Sequence, residues 1–565
     1  MAVASKITSS STAEYFSKNL QQVGFSSGTK AVLTTLKESV DNSLDACEDA
    51  QILPEVTIEI EKLGVGSQKN MDQIRILVRD NGPGIPTEDL SRVYGEYLAS
   101  SKFGRGRCSR GQQGIGISAA TTWAQLTSAQ GVKVITKTKA MRQAIQGIVE
   151  VDIKKNQGVL KDKKSIDWDR PHGTSVEFIL DGRLQMQGEG GVLTYLTATS
   201  LVNPHLTLNY KINDEALVKL DRVTKIPVDI PEAVAPHPHT LKLGEFLSHG
   251  TLFGKSSLET FLKKGFSRIN DPVIDQLKKN GLGKGLLDKS ISSISDKDLK
   301  SVYEVIQKTE LMPPNTRSVL SIGEEGLADS IKRLGEIDFF SVVSRKPRIC
   351  DFKPVVVEVA IARFLKNAGE ADDPVTVLRF ANRVPLQFDK SSCAIVKALE
   401  SVNWRAYGLA QPKNSLPIGP YVVAVSVVSP FIKFKNASKE TIDGSDELVE
   451  ELRLALIQAG QRLSRYIKRE QKEFDLEKKK QHIEQFGPIL IECLGRITKA
   501  PQSRLEKAKL GMLKILGRDA DKAEGDLETA VQKQSKLDER MKKSSEADDE
   551  NNDKNNDDSN EEANA

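Results

Sequence analysis

The chain has 565 residues, of which 38% are hydrophobic and 28% are charged. At roughly 150 residues per domain, this length predicts three or four domains, and the composition is typical of globular proteins. No stretch reaches the roughly 18 to 20 continuous apolar residues that span a bilayer, and the N-terminus has no basic region followed by an apolar one. We therefore expect neither a membrane span nor a signal peptide.

The charge is unevenly distributed along the chain. Nine acidic residues and one lysine lie in the last twenty residues, and the remainder carries 80 basic and 68 acidic side chains, a net charge of +12. This surplus suits a polyanionic partner, although solubility alone explains it equally well. The five cysteines are odd in number and far apart, which is typical of reduced thiols and predicts no CxxC metal site.

The first predicted helix covers residues 31–49. Its polar side chains share one arc of the helical wheel, and Leu33, Leu36, Val40, Leu44 and Cys47 share the opposite arc. The polar arc consists of Glu38, Asp41, Asn42, Asp45 and Asp49. Contact with solvent is enough to explain such an arc, so this helix by itself does not indicate catalysis.

Two glycine-containing segments follow. RILVRDNGPGIP predicts a strand that ends at Asp80, whose carboxylate can accept a hydrogen bond from an exocyclic amine, although taken alone the segment is better explained by a simple DNG turn. SSKFGRGRCSRGQQGIGIS predicts a glycine-rich loop before a helix from Gly114 to about Leu126, an arrangement that presents free N–H groups to phosphates. The second segment matches neither GxGxxG nor GxxxxGK[ST], so alone it is weak evidence.

The order of elements predicts the architecture. Helices interleaved with hairpin-linked strands indicate an α/β sandwich with helices on one face of a sheet, not a regular βαβ Rossmann unit. Prolines mark a linker at 226–239, short helices follow over 240–320, and an α/β pattern returns from about 325. A long helix is expected to begin after Ser445 as N-cap and to be interrupted at Gly487-Pro488.

The motifs occur in a specific order: E-x-x-x-N-x-x-D on a helix, D-x-G-x-G after a strand, G-x-x-G-x-G before a helix, and HGTSVEF. This order resembles the GHKL ATPase family with its Bergerat fold. The phrases AEYFSKNLQQVGF, KESVDNSLDAC, SSKFGRG and SRGQQGIGISAA are similar to the B subunits of type IIB DNA topoisomerases (topoisomerase VI), and the likeness extends over about 470 residues. Asp41 stands where family members often have glutamate.

The resemblance implies ATP and Mg²⁺ as cofactors and assigns roles to residues. Glu38 would be the general base that activates water, Asn42 would ligate Mg²⁺, and Asp80 would bind the adenine amine with support from Gly84 and Thr174. Asp45 is a weaker candidate, and Asp49 is expected only to face solvent. The lid over the phosphates would consist of Ser101, Lys102, Arg110, Gly111, Gln112, Gln113, Gly114, Ile115, Gly116 and Ile117.

The resemblance also assigns the later domains. Residues 240–320 resemble a helix-two-turns-helix domain, and over 255–300 there are ten basic and six acidic residues. Candidates for contact with DNA phosphates are Lys263, Lys264, Arg268, Lys278, Lys279 and Lys284, although a solvated helix face explains each lysine equally well. Residues 325–470 resemble an S5-like transducer domain. Its switch lysine, which reaches the γ-phosphate, would be Lys439, with Lys433 and Lys435 as open alternatives.

We thus expect a GHKL ATPase domain with an N-terminal strap (1–235), a helix-two-turns-helix domain (236–322), a transducer with its long helix (323–500), a helical extension (501–545) and a disordered acidic tail (546–565). The resemblance implies a clamp in which two copies dimerise on binding ATP and capture double-stranded DNA. A separate A subunit would cut the DNA, in an assembly of two A with two B subunits. The expected location is an archaeal cytosol, or a nucleus if the source is eukaryotic.

Three other functions fit these residues less well. A histidine kinase would need a phosphoacceptor histidine before the ATP site, and no histidine precedes the first helix. A chaperone or a DNA-repair clamp would share the ATP site but lack the combination of a basic helical region and a transducer. A scaffold that binds ATP without hydrolysing it is disfavoured by the presence of Glu38.

Overall fold

The structure is a computed structural model, and it describes residues 10–100, 106–111, 113–333, 335–365, 372–413, 415–509 and 511–512. The chain forms two compact units, Met1–Arg465 and Tyr466–Ala565. The first unit contains two β-sheets with a group of short helices between them in sequence. This confirms the predicted multidomain α/β architecture.

Eight strands of the described chain form the first sheet. They are β1 (Glu55–Val65), β2 (Asp72–Arg79), β3 (Val132–Lys137), β4 (Ala144–Asp152), β5 (Gln157–Ile166), β6 (Gly173–Gly182), β7 (Thr207–Ile212) and β8 (Val218–Leu220). The strand order is β5-β4-β3-β6-β2-β1-β7-β8, with β1 and β7 parallel and the other neighbours antiparallel. The mainly antiparallel pairing agrees with the expectation that this is not a Rossmann unit.

Five helices accompany the first sheet in sequence: α1 (Thr12–Lys18), α2 (Gly28–Asp49), α3 (Leu90–Gly95), α4 (Gly116–Ser128) and α5 (Val192–Val202). Helix α2 begins where the Ser27 side chain accepts a hydrogen bond from the Lys30 amide, a standard N-cap. Its apolar side chains Leu36 and Leu44 are fully buried in the core under the sheet. A 3-10 turn (Thr87–Asp89) leads directly into α3.

The acidic arc of α2 is also covered by protein. Asp41 and Asp45 are each only 5% exposed, whereas Asp49 at the end of the helix is exposed. The explanation of this arc by solvent contact is therefore wrong for Asp41 and Asp45. A wheel shows which residues share a face, but not whether other parts of the chain cover that face.

Short helices form the middle of the first unit: α6 (Leu243–Thr251), α7 (Leu258–Gly265), α8 (Asp271–Lys279) and α9 (Asp296–Lys308). They have their own core, which contains Phe246, Phe261 and Phe266. Side chains of Ser257, Asn270 and Ser295 cap α7, α8 and α9 by accepting hydrogen bonds from first-turn amides. Each of these three helices thus begins at a residue that the sequence marks.

The second sheet follows helix α10 (Glu324–Lys332). Its strands are β9 (Ile337–Ser344), β10 (Arg348–Cys350), β11 (Lys353–Phe364), β12 (Thr376–Ala381), β13 (Val384–Pro385) and β14 (Val422–Val428), and helix α11 (Ala394–Ser401) lies between β13 and β14 in sequence. Parallel pairing of β12 with β14 makes this a crossover unit, and β11 pairs with β9, β10 and β14. The strand β11 is almost entirely buried, as its Val- and Ala-rich sequence predicts.

A long helix, α12, extends over Asp446–Thr498. Ser445 caps it by accepting a hydrogen bond from the Leu448 amide, as expected. The predicted interruption at Gly487-Pro488 is wrong, because the helix continues through Pro488. One proline removes a single backbone hydrogen bond, and within the second unit Met512 and Leu505 of the following segment pack at Gly487 and Gly495. The predicted acidic tail (546–565) and most of the helical extension lie outside the described residues.

Candidate functional site

A cavity of about 250 Å³ opens beside helix α2 in the first unit. Its walls come from α2, from the glycine-rich segment that leads into α4, and from a loop after β14. The lining residues are Val23, Glu38, Asn42, Ala46, Asp49, Ile85, Val93, Ala99, Ser100, Gly111, Gln113, Gly114, Ile115, Gly116, Ile117, Ala437 and Lys439. Residues separated by up to about 400 positions in sequence therefore meet at one site.

Glu38 and Asn42 lie one turn apart on the half-buried face of α2 and both line the cavity. Among the residues that the structure describes, neither side chain has a hydrogen-bond partner. A carboxylate and an amide that are held on a rigid helix, aimed into a cavity and not bonded by any described residue are suited to bind a polar ligand.

Gly116 lies directly against Glu38. A Cβ atom built at Gly116 would come within 2.1 Å of the Glu38 carboxylate. Only glycine therefore allows the N-terminus of α4 to approach this carboxylate. The first N–H groups of α4 have no partners inside the helix, so the carboxylate and an anion-binding helix end are adjacent.

The glycine-rich segment is described at 106–111 and from 113 onward, while Ser101, Lys102 and Gln112 lie outside the described residues. Gly114 has a φ of +60°, and a Cβ atom there would meet the Ala99 carbonyl at 2.7 Å. The Gly114 carbonyl accepts a hydrogen bond of 2.8 Å from the Leu98 amide. The glycines of GQQGIG thus hold a compact turn that ends at the first residue of α4.

Asp80 lies at the end of β2 and is 6% exposed. Its carboxylate accepts hydrogen bonds from the Ser43 hydroxyl (2.9 Å), the Gly82 amide (2.8 Å) and the Thr174 amide (3.1 Å). Burial raises the pKa of this carboxyl, while the three donors oppose the increase. Asp80 and Thr174 are not among the described residues that line the cavity.

Gly84 is fixed by its surroundings. Its φ is +76°, and a Cβ atom would lie 2.2 Å from the Lys137 carbonyl. The turn after Asp80 therefore requires glycine for both conformation and close approach.

Three lysines were candidates for a switch lysine, and the structure places them differently. Lys439 lines the cavity, and its Nζ donates a 2.9 Å hydrogen bond to the Arg110 carbonyl. Lys435 donates to the Ser392 carbonyl, and Lys433 borders a separate small pocket of about 30 Å³. Burial lowers the pKa of Lys439, and the neighbouring Glu38 opposes that shift. Of the three, only Lys439 reaches the cavity.

Arg110 is expected to belong to the lid over the phosphates, but its side chain does not line the cavity. Its side chain is fully buried and donates to Glu48 (2.7 and 2.9 Å) and to Asp45 (2.9 Å), so its charge points away from the cavity. The main chain of the segment remains at the cavity through Gly111. The Arg110 guanidinium therefore forms an internal ion pair and does not line the cavity.

Sequence reasoning missed Glu48. It lies on α2 three residues after Asp45, at the border between the polar and apolar arcs, and it is 2% exposed. A carboxylate beside Leu44 and Cys47 is expected to be buried, and buried carboxylates are almost always paired with a cation. That position was the available signal, but the partner of Glu48 could not be identified from sequence.

The candidate DNA-contacting residues differ in what already binds their side chains. Lys263 pairs with Glu259 and Asp271, and Lys278 pairs with Asp275. Lys264 and Lys279 are exposed and have no ion pair with any described residue. Arg268 is exposed and donates to the Pro313 carbonyl, and the side chain of Lys284 lies outside the described part of the chain.

Membrane spans and metal clusters are both absent from the described residues. None of their helices is long and apolar enough to cross a membrane. Among the same residues, no group of three or more His, Cys, Asp or Glu side chains could hold a metal ion. A metal in this cavity would therefore depend on Asn42 together with ligand oxygens and water, a donor set that suits Mg²⁺.

Two family models match separate parts of the chain. The family model of histidine kinase-, DNA gyrase B- and HSP90-like ATPases matches residues 29–183, and that of the topoisomerase VI B subunit transducer matches residues 314–480. The 43K ATPase domain of Thermus thermophilus gyrase B superposes with a TM-score of 0.37 and 13% identity, covering 83% of this chain and 98% of that chain.

Curated relatives match over most of the chain. The B subunit of type 2 DNA topoisomerase 6 from Archaeoglobus fulgidus is 35% identical over 90% of this chain and 81% of its own length. The protein of the same name from Pyrococcus abyssi is 30% identical over 90% of this chain and 94% of its own length. Because this identity extends over most of both chains, the chain belongs to the family of type 2 DNA topoisomerase 6 B subunits.

Proposed function

We propose that this chain is the ATP-binding and ATP-hydrolysing subunit of a type IIB DNA topoisomerase. One observation carries the proposal: the Glu38 carboxylate, the Asn42 amide and the Lys439 ammonium line the same cavity, beside the N-terminus of α4. Family membership gives the reaction, and this combination of side chains suits cleavage of a terminal phosphate.

In the proposed mechanism Glu38 is the general base. It accepts a proton from the water that attacks the γ-phosphate, and both carboxylate oxygens are available for this role because no described residue bonds to them. The N–H groups at the start of α4 bind the phosphate oxygens. Asn42 would hold Mg²⁺ through its amide oxygen, and that ion would neutralise phosphate charge.

Asp80 is proposed to select adenine. Its carboxylate is already held by Ser43, Gly82 and Thr174, and the second lone pair of Oδ2 is available for an exocyclic amine. Because three donors fix its orientation, Asp80 can recognise a base without reorganising. Its partly exposed neighbour Ile85, which lines the cavity, supplies an apolar contact for a flat ring.

Lys439 is proposed as the switch residue between domains. It lies in the loop that follows β14, and it reaches the cavity beside Arg110. A lysine that contacts the γ-phosphate but has no equivalent contact with a diphosphate gives the second sheet a different affinity for the two nucleotide states. Hydrolysis would then shift the position of that sheet.

The wider assembly follows from the family. We propose that two copies dimerise on binding ATP, that the dimer captures double-stranded DNA, and that a separate A subunit cuts it, in an assembly of two A with two B subunits. The exposed Lys264 and Lys279 of the helical region are the proposed phosphate contacts. DNA binding of this kind requires no sequence readout.

Relaxation of a supercoiled plasmid tests this function. The full chain and a topoisomerase VI A subunit would be assayed separately and together, with ATP and with a non-hydrolysable analogue. We expect relaxation only from the pair and only with nucleotide, with multiple turnovers requiring ATP. Relaxation by this chain alone would contradict the division of labour, and protection of an unfolded client protein without relaxation would favour a chaperone-type clamp.

A further inference from the structure

A cluster of buried charges lies behind the cavity, on the far side of the glycine-rich segment. Its centre is the Glu48 carboxylate, which accepts two hydrogen bonds from Arg110 (2.7 and 2.9 Å) and two from Arg383 (2.7 and 2.9 Å). Asp45 accepts a further bond from Arg110. We call these residues, with Asn203 and His205, the Glu48 cluster.

The cluster excludes water and balances its charges. Glu48, Asp45 and Arg383 are each no more than 5% exposed, and two carboxylates face two guanidinium groups. The His205 Nε2 donates to Glu48 at 2.8 Å, and burial lowers the pKa of His205 while Glu48 opposes that shift. Although burial opposes ionisation of Glu48, the two arginines hold the pKa of its carboxyl well below the usual range.

The cluster joins three separate parts of the chain. Glu48 is on α2, Arg110 is in the glycine-rich segment, and Arg383 lies in the turn between β12 and β13 of the second sheet. The Asn203 side chain, at the end of α5, accepts from Arg110 and donates to the Arg383 carbonyl. One carboxylate thus joins the nucleotide-site helix, the phosphate-binding segment and the second sheet.

The same segment also contacts Lys439. The Arg110 carbonyl accepts the hydrogen bond from Lys439 Nζ, while the Arg110 and Gly111 amides donate to Asp45 (3.3 and 3.1 Å). The position of this carbonyl therefore depends on the Glu48 cluster on one side and on Lys439 on the other. A shift of Lys439 towards a phosphate changes the contacts of a segment that Glu48 links to Arg383.

We propose that Glu48 is a positioning residue that couples the nucleotide site to the second sheet. It does not touch the nucleotide. It holds Arg110 and Arg383 on one carboxylate, so that a change at the phosphates moves the turn between β12 and β13. This inference rests on the proposed ATP-driven function, and it adds a second connection between the domains to the one made by Lys439.

Variants that remove buried charges distinguish a loss of coupling between the nucleotide site and the second sheet from a loss of stability. Glu48→Gln keeps the shape of the side chain but leaves two buried guanidinium groups with one fewer carboxylate, so the melting temperature should fall. The double variant Glu48→Gln with Arg383→Gln removes one charge of each sign and should recover much of that loss. Glu451→Gln is a matched control, because Glu451 is 4% exposed and pairs with Arg345, away from the cavity.

The measured quantity is the number of supercoils relaxed per ATP hydrolysed, with the full chain and its A subunit. In Glu48→Gln and in the double variant we expect this ratio to fall at least about tenfold, within the usual range of coupling between sites, while ATP hydrolysis continues. Glu451→Gln should lower the melting temperature without changing the ratio. Arg383→Lys, which keeps the charge but cannot bond to both carboxylate oxygens, should reduce the ratio by less.

Two outcomes overturn the proposal. If the double variant recovers both its melting temperature and a normal ratio, Glu48 has only a structural role. If Glu451→Gln lowers the ratio as much as Glu48→Gln, any loss of buried charge has the same effect and no specific coupling exists. A wild-type chain that hydrolyses no ATP or relaxes no DNA with its A subunit would instead contradict the proposed function, and the two failures are therefore distinguishable.

Discussion

The two halves of the acidic arc on α2 serve different purposes. Glu38 and Asn42 face the cavity with polar atoms that no described residue binds, whereas Asp45 and the adjoining Glu48 are buried and accept hydrogen bonds from Arg110. Helix α2 thus carries side chains that face the cavity and side chains that bond to distant parts of the chain. Polar side chains of one helix therefore differ in whether other described residues already bond to them.

Removing the cavity-facing carboxylate should have the largest effect. Glu38→Ala should reduce ATP turnover by about 10² to 10⁴-fold, the usual contribution of a general base. Because no described residue bonds to Glu38, the melting temperature should hardly change. Steady-state hydrolysis and thermal unfolding check both expectations, with Glu88→Ala as the control, since Glu88 is an exposed carboxylate that does not line the cavity. Unchanged turnover in Glu38→Ala would refute the general-base role.

Gly116→Ala changes the surroundings of Glu38 without removing any polar group. The new methyl group would meet the Glu38 carboxylate and displace it or the start of α4. We expect turnover to fall by about 10² or less, because a small displacement of a catalytic group has effects of that size. Gly244→Ala is a matched control at the start of α6, where nothing lies within 4 Å of a Cβ atom. Equal activity of both variants would show that Glu38 tolerates the contact.

Asp41 lies between the two halves and provides a test by pH. Burial raises the pKa of its carboxyl to about 7. The folded chain therefore binds a proton that the unfolded chain has lost, and Asp41 reduces stability progressively as pH rises from about 4 to about 7. Asp41→Asn does not have this loss of stability. Its melting temperature should therefore exceed that of the wild type at pH 8 and equal it near pH 4. Thermal unfolding across that range checks the sign, and a constant difference would contradict it.

The lysines of the helical region differ in the same way, because some pair with acidic side chains and others have no ion pair with any described residue. Substituting them should have the smallest of these effects. Lys264→Ala and Lys279→Ala should each lower the slope of DNA affinity against salt concentration by about one ion, as loss of a phosphate contact does. Lys263 and Lys278 already pair with acidic side chains, so alanine there should change the slope less. Binding of plasmid or duplex DNA at several salt concentrations measures all four. Slopes equal to that of the wild type would show that these lysines do not contact DNA.

The sequence predicted local features well, because they depend on residues close together in the chain. The helix over 31–49, the strand ending before Asp80, the cap at Ser445 and the start of α4 all follow from periodicity, glycine and capping chemistry. The family assignment came from the order of short motifs and is confirmed by the relatives. The assignments of individual site residues stay predictions, which the experiments above address.

What the sequence could not predict depends on distant contacts. The orientation of Arg110 is decided by Glu48 and by Asn203, which lies 93 positions away. The burial of Asp41 follows from the packing of other elements over α2, and continuity of α12 through Pro488 depends on a single lost bond being tolerated. No spacing rule contains this information, because the partners are brought together only by the fold.

The attachment of the helical region has a consequence for protein engineering. Before α6, the Val234 amide donates to the Gly106 carbonyl at 3.0 Å, and after α9, the Cys108 sulfur lies 3.5 Å from the Ser318 carbonyl. The chain thus leaves and re-enters the rest of the first unit at points two residues apart along one segment. Such closely spaced ends are typical of domain insertions. A short glycine-serine linker can therefore replace the intervening helices, or another domain can be grafted in their place, while the cavity and the second sheet remain connected.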